Sequence, residues 1–190
     1  MIICPLWIIF YLTGKKAIIT GGAKGLGLGM TKALCQAGAE VVIISSSDSA
    51  KEESEKLCKQ GFSVYGIKAD LMKRQDVQSS FYEALNYFGG KLDILVNNSG
   101  MIRRHKSEEF PLEDWDMVIN LNLNTVFQLC QLAGKVMLNQ GSGKIINIAS
   151  MLSFFGGFTV PAYSASKGGV AQLLKHLPMN GQVKMCRSML

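Results

Sequence analysis

The stretch Thr20-Gly21-Gly22-Ala23-Lys24-Gly25-Leu26-Gly27 constrains this chain more than any other. It follows the apolar run Ala17-Ile18-Ile19 and precedes a helix-like segment, Leu28 to Ala37. Strand, glycine turn and helix in that order form the context a dinucleotide-binding loop requires. The glycines let the backbone approach a pyrophosphate. The helix N-terminus supplies free N–H groups and a partial positive charge. A turn of this kind also serves simply to pack a strand on a helix, so the rest of the chain must decide between the two uses.

Apolar runs of strand length alternate with helix-period stretches throughout, the pattern of a parallel sheet covered on both faces. Strands are expected at 16–20, 40–44, 63–68, 94–97 and 144–149. Helices are expected at 25–37, 50–60, 73–88, 112–140 and 161–175. The fold class that follows is α/β, a doubly wound, Rossmann-like parallel sheet. There is no internal repeat, low-complexity tract or linker, and 190 residues are one domain's worth.

A second constellation lies in the other half. Tyr163 and Lys167, in Y-S-A-S-K, are one helical turn apart on one face. An ammonium held beside a phenol favours the phenolate, which suits a general acid/base. Ser150, upstream at a strand end, can hold a substrate oxygen while Tyr163 gives or takes its proton. Each residue also has a plain reading. Tyr163 and Lys167 would be an amphipathic helix surface, Ser150 a strand-end cap and Asn122 a solvated helix position. Arg103 and Arg104 follow the fourth strand at its carboxyl end, where ligands bind in open α/β sheets. One of them can make a bidentate contact with a substrate carboxylate; the alternative is a solvated basic pair.

Taken together, the motifs resemble the short-chain dehydrogenase/reductase family from about Phe10 to Lys175. The T-G-x-x-x-G-x-G turn stands at Thr20 to Gly27, and N-N-A-G reads Asn97-Asn98-Ser99-Gly100. The resemblance implies cofactor contacts from Gly21, Lys24, Gly25, Leu26, Gly27, Ser46, Asp70, Leu71, Asn98, Gly100, Tyr163 and Lys167, with Asp70 on the adenine. It implies a catalytic tetrad of Asn122, Ser150, Tyr163 and Lys167. Lys167 would also hold the nicotinamide ribose, and Asn122 would fix a water linking Lys167 to solvent. Gly100-Met101-Ile102-Arg103-Arg104, Asp114-Trp115-Asp116 and Gly143 to Phe154 are similar to one branch of the family. That branch acts on gluconate, 2-deoxy-D-gluconate or 2-dehydro-3-deoxy-D-gluconate. The implied reaction passes a hydride between NAD(P) and a secondary alcohol or ketone of a sugar acid. Substrate contacts would come from Arg103, Arg104 and Ser150. The place of the usual NAD-selecting acid reads Ser45-Ser46-Ser47, with Asp48 too late, while Lys24 resembles a 2′-phosphate partner. The branch implies NAD, with NADP open. It also implies a homo-oligomer, dimer or tetramer, joined through the helix that carries Asn122 and the next one.

Composition narrows the alternatives. The chain is 48% hydrophobic and 18% charged, which argues globular and not disordered. The net charge of +6 comes without Arg/Lys runs interleaved with aromatics, so no nucleic-acid partner is expected. Five cysteines without C-x-x-C spacing and two isolated histidines argue against a disulfide framework or a metal site and fit a reducing cytoplasm. Cys35 and Cys130 read as small core residues.

Both ends depart from the family pattern. Residues 1–9 form an atypical apolar lead, too short to span a bilayer, which takes about 20 residues. A misplaced start is the expectation, and a peripheral membrane contact the alternative. The catalytic domain is expected to cover 10–175 and to be C-terminally truncated. Residues 176–190 lack core-like periodicity, and Pro178 would break a continuing helix. Read from the third base of the Pro178 codon, the tail permits N-E-W-A-S-K-D-V-Q-V-N-A, the segment the family places there. Met179 and Asn180 force the Glu, and Met185 and Cys186 force the Val. A frameshift between about Lys175 and Pro178 is therefore expected, leaving the fifth strand as an exposed sheet edge. The competing function is a non-catalytic dinucleotide-binding fragment.

Overall fold

The computed structural model describes residues 11–176 and 183–188. Six parallel strands are β1 (Lys16–Thr20), β2 (Glu40–Ser45), β3 (Val64–Lys68), β4 (Ile94–Asn97), β5 (Gly143–Ile148) and β6 (Val183–Ser188). They lie in the order β3-β2-β1-β4-β5-β6. The helices are α1 (Gly25–Gln36), α2 (Ser49–Lys59), α3 (Arg74–Tyr87), α4 (Leu112–Ile119), α5 (Thr125–Asn139) and α6 (Pro161–His176). The order reverses beside β1, so the crevice at the carboxyl ends of β1 and β4 is the expected place for a ligand.

Alternating residues of each strand feed two cores. Ile18, Val42, Ile44 and Leu95 pack with Phe81 of α3 and Leu129 and Met137 of α5. Ala17, Ile19, Val41, Ile43 and Val96 pack on the other face with Cys35 of α1 and Leu57 of α2. Side chains that alternate across a strand explain why one unbroken apolar run serves both layers. Cys35 and Cys130 are core residues as expected, and burial pushes both thiols up to about 11. Leu12 donates its N–H to the Ala37 carbonyl at 2.7 Å, fastening the segment before β1 to the end of α1.

Two expectations need correction. The fifth strand is not the sheet edge: β6 pairs with it in parallel, from Gly143 opposite Val183 to Ile148 opposite Ser188. An unpaired strand edge is itself a template, and Val183-Lys184-Met185-Cys186-Arg187-Ser188 has no Gly or Pro to keep it from extending. The single long helix expected over 112–140 is interrupted by a π-helical turn, Asn120–Asn124. Asn side chains compete with helical backbone bonds, and two here are spent on distant loops. Asn120 donates to the Met72 carbonyl, and Asn122 binds Met101. The expectations for residues 1–9 and for the Pro178 break lie outside the described residues. Among the described residues no helix is long and apolar enough to cross a membrane.

Candidate active site

The turn after β1 is built around two glycines that cannot be exchanged. Gly21 has φ 65°, and a Cβ there would meet Ser99 Oγ at 3.0 Å and Asn98 Nδ2 at 3.1 Å. A Cβ on Gly27 would lie 2.1 Å from the Gly21 carbonyl oxygen. The turn is thus folded onto the end of β4. Asn98 and Ser99 both donate their N–H to Thr20 Oγ1, at 3.1 and 3.0 Å, and Asn98 Nδ2 donates to the Thr20 and Gly21 carbonyls. Thr31 of α1 closes the far side, donating to the carbonyls of Gly22 and Gly27. Gly27→Ala should therefore lower stability by about 2–3 kcal/mol, as overpacking does. It should also weaken dinucleotide binding at least tenfold, measured by denaturant melts and cofactor titration.

Beside this turn is a cleft of about 410 Å³ lined by Gly21, Lys24, Ser46, Asp70, Leu71, Asn98 and Gly100, among others. Seven of the expected cofactor contacts therefore share one wall. Gly25, Leu26 and Gly27 form the adjoining first turn of α1, outside that lining. The Asp70 carboxylate accepts the Met72 N–H at 3.1 Å, which fixes it at the rim. No acid lies at 45–47, and the nearest, Asp48, is held by Lys68 at 2.7 Å. That hydrogen bond keeps the Asp48 carboxyl below its ordinary range. The missing Cβ atoms at Gly21 and Gly27, the α1 N-terminus and this cleft fit a dinucleotide pyrophosphate.

The catalytic candidates converge next to Gly100. A Cβ on Gly100 would lie 3.3 Å from Asn122 Oδ1 and 3.9 Å from Lys167 Nζ. Asn122 is fully buried, not a solvated helix position. Its Oδ1 accepts the Met101 N–H, and its Nδ2 donates to the Met101 carbonyl and to Ser166 Oγ. Both ends of the side chain are thus engaged by protein, so it locks the loop after β4 to α6.

Lys167 is buried, and desolvation lowers its ammonium from 10.5 to about 8. It donates to the Ile148 carbonyl at 2.6 Å and sits 5.7 Å from the centroid of the Tyr163 ring. Ser150 is the strand-end cap of the plain reading and is still fit for chemistry. Its Oγ accepts the Leu152 N–H at 3.2 Å, which leaves the hydroxyl hydrogen free for a substrate oxygen. Sequence reading missed Ser153, whose Oγ accepts from Ser150 N and donates to the Lys167 carbonyl. A Ser three residues after a capping Ser was its only signal.

The two arginines are treated differently. Arg103 Nε donates to Asp114 Oδ1 at 3.2 Å, whereas Arg104 is exposed and has no ion-pair partner among the described residues.

The short chain dehydrogenase family matches residues 15–186. The chain belongs to that family. The match runs past Lys175, where the motif-by-motif resemblance ends. A 2-dehydro-3-deoxy-D-gluconate 5-dehydrogenase from Bacillus subtilis is 46% identical over 166 residues, covering 87% of this chain and 65% of the relative. A gluconate 5-dehydrogenase from Gluconobacter oxydans is 36% identical over 171 residues, again covering 65% of the relative. The chain thus spans just under two thirds of these curated relatives. The structure of a gluconate 5-dehydrogenase from Burkholderia cenocepacia, in complex with NADP and tartrate, superposes with a TM-score of 0.86 at 31% identity. It covers 95% of this chain and 72% of that one.

Proposed function

We propose that this chain is an NAD(P)-dependent oxidoreductase acting on a secondary alcohol or ketone of a sugar acid. One observation carries the reading. The wall of the dinucleotide cleft and the catalytic group meet at Gly100, within van der Waals reach of Asn122 and Lys167. Bound in the cleft, the dinucleotide supplies or accepts the hydride at its nicotinamide ring. In alcohol oxidation Tyr163 Oη takes the hydroxyl proton of the substrate, and in ketone reduction it returns one. The Lys167 ammonium lies 5.7 Å from the centroid of the Tyr163 ring and, as in the family, would hold the ribose of the bound dinucleotide. Ser150 Oγ donates to the reacting oxygen, stabilising charge that develops there. Relatives named for gluconate and 2-dehydro-3-deoxy-D-gluconate, and tartrate in the Burkholderia structure, support a hydroxy acid as substrate. Arg103 and Arg104 are the candidates for its carboxylate. Half-exposed Phe127 and Leu138 on α5 suit self-association through that helix.

The cleft favours no cofactor by an acid at β2, since Asp48 is committed to Lys68. Lys24, exposed beside Gly25 and without an ion-pair partner among the described residues, suits a 2′-phosphate. Lys24→Ala should raise the KM for NADP about fivefold or more and that for NAD less than twofold, because a surface charge–phosphate contact is lost only in the former. Equal effects on the two would remove Lys24 from cofactor selection.

The direct test is turnover of the chain with gluconate, 2-deoxy-D-gluconate and 2-dehydro-3-deoxy-D-gluconate, followed by absorbance of the reduced nicotinamide. Cofactor binding without turnover on any of them would favour the dinucleotide-binding fragment, a reading the partial coverage of the relatives keeps open.

A further inference from the structure

In the proposed reaction Ser150 and Tyr163 act on one substrate oxygen, yet they belong to different elements. Ser150 caps the short helical turn Met151–Ser153 that follows β5, whereas Tyr163 and Lys167 belong to α6. Their separation is therefore set by whatever fastens that turn to that helix. Ser153 does so. Its Oγ donates to the Lys167 carbonyl at 2.9 Å and accepts the Ser150 N–H at 3.3 Å. The Ser153 N–H returns a bond to the Ser150 carbonyl at 3.0 Å, so the two serines hold each other across the turn. Among the described residues, no other hydrogen bond joins 150–153 to α6.

The contact is close and closed on itself. A Cβ on Gly168, the next residue of α6, would come within 3.8 Å of the Ser153 carbonyl oxygen. Lys167 is held twice by the same stretch: its Nζ donates to the Ile148 carbonyl at 2.6 Å, and its own carbonyl accepts from Ser153. Residues 148–153 and Lys167 thus form one ring of bonds, with Ser150 inside it. A separate bond, from the Leu152 N–H at 3.2 Å, aims the Ser150 Oγ. A hydroxyl is the group that position 153 needs, because one atom must both accept from an N–H and donate to a carbonyl. Its hydrogen is committed to the Lys167 carbonyl, so Ser153 has none to offer a substrate oxygen.

We propose that Ser153 is a positioning residue of the reaction. By bridging the Ser150 N–H to the Lys167 carbonyl, it fixes the Ser150 hydroxyl relative to Tyr163 and Lys167. It acts only through Ser150. This rests on the oxidoreductase reading above and adds to it what sets the spacing of the catalytic groups.

The test is a double-variant cycle on Ser150 and Ser153 in the full chain, with NADP and the fastest of the three sugar acids named above. Ser153→Ala should lower kcat about tenfold, since a displacement of about 1 Å in a catalytic group can cost about a hundredfold. The Kd for NADP should stay within about twofold, because the wall of the cleft is built elsewhere. Ser153→Thr keeps a hydroxyl that donates and accepts, and should hold kcat within about threefold of the parent. In a Ser150→Ala background, adding Ser153→Ala should cost less than about twofold, because nothing is left for Ser153 to position. Losses that multiply in the double variant would mark Ser153 as merely structural and overturn the proposal. So would a kcat for Ser153→Ala within twofold of the parent, an NADP Kd that weakens as much as kcat falls, or a threonine variant as slow as the alanine one. A parent chain with no turnover on any of the three sugar acids removes the oxidoreductase reading itself, and the proposal with it. That outcome is distinguishable, because it appears before any variant is made.

Discussion

Tyr163→Phe should lower kcat by about a thousandfold while the KM values for sugar acid and cofactor change less than about threefold. The size follows from the loss of a positioned proton donor and acceptor, worth about 10²–10⁴ in rate; a thousandfold is about 4 kcal/mol of barrier. The specificity of the loss follows from the surroundings. The substitution removes only the hydroxyl, and the Ser166 hydroxyl bonds to the Tyr163 carbonyl, which the substitution leaves in place. Steady-state kinetics in both directions would check it. A variant within tenfold of the parent would remove Tyr163 from proton transfer. Ser150→Ala should cost less than the tyrosine, and the double variant should be little worse than Tyr163→Phe alone, because groups that act on one oxygen lose their effect together.

The order of elements was open to sequence reasoning because it depends on local periodicity. Bounds of β1 and β4 follow directly from apolar runs closed by polar residues, and the glycine turn carries its own geometric demand. Asn122 shows where such reasoning stops. Its partners Met101 and Ser166 are 21 and 44 positions away. A residue that reads as one more polar position on a helix is in fact a fully buried tie between the loop after β4 and α6. The π-helical turn around it has the same origin, since no helix period encodes a bond to the Met72 carbonyl. Strand β6 was missed for a related reason. Its extended form comes from the open edge of β5, a partner no window on residues 183–188 contains. Arg103 and Arg104 are equivalent neighbours in sequence. The carboxylate of Asp114, eleven positions from Arg103, makes them different.

Lys167→Met should abolish turnover and also remove a rise in stability with pH that the parent shows between about pH 8 and 10.5. Burial lowers the Lys167 ammonium from 10.5 to about 8, so at neutral pH the fold carries a cost of about 3 kcal/mol for keeping it charged. The sign is fixed by proton counts. Between about pH 8 and 10.5 the unfolded chain holds this proton and the folded chain has released it, so this group makes stability rise with pH across that window. Methionine has no proton to release. The difference in unfolding free energy between variant and parent should therefore move by about 2 kcal/mol in the parent's favour from pH 7 to pH 10. Denaturant melts of the cofactor-free chains would measure it. The absolute gap at pH 7 will be smaller than the full cost, because methionine leaves the Ile148 carbonyl without its 2.6 Å donor, a loss of about 1–3 kcal/mol. A gap that stays constant with pH would mean that Nζ titrates here as it does in water. The ammonium would then not be the strained, desolvated group that a proton-transfer site at Tyr163 needs beside it. A gap that moves as expected would mean that the fold tolerates a destabilising charge between Gly100 and the Tyr163 ring. A structural lysine on an amphipathic helix has no reason to bear that cost, whereas an ammonium that must serve a proton-transfer site does.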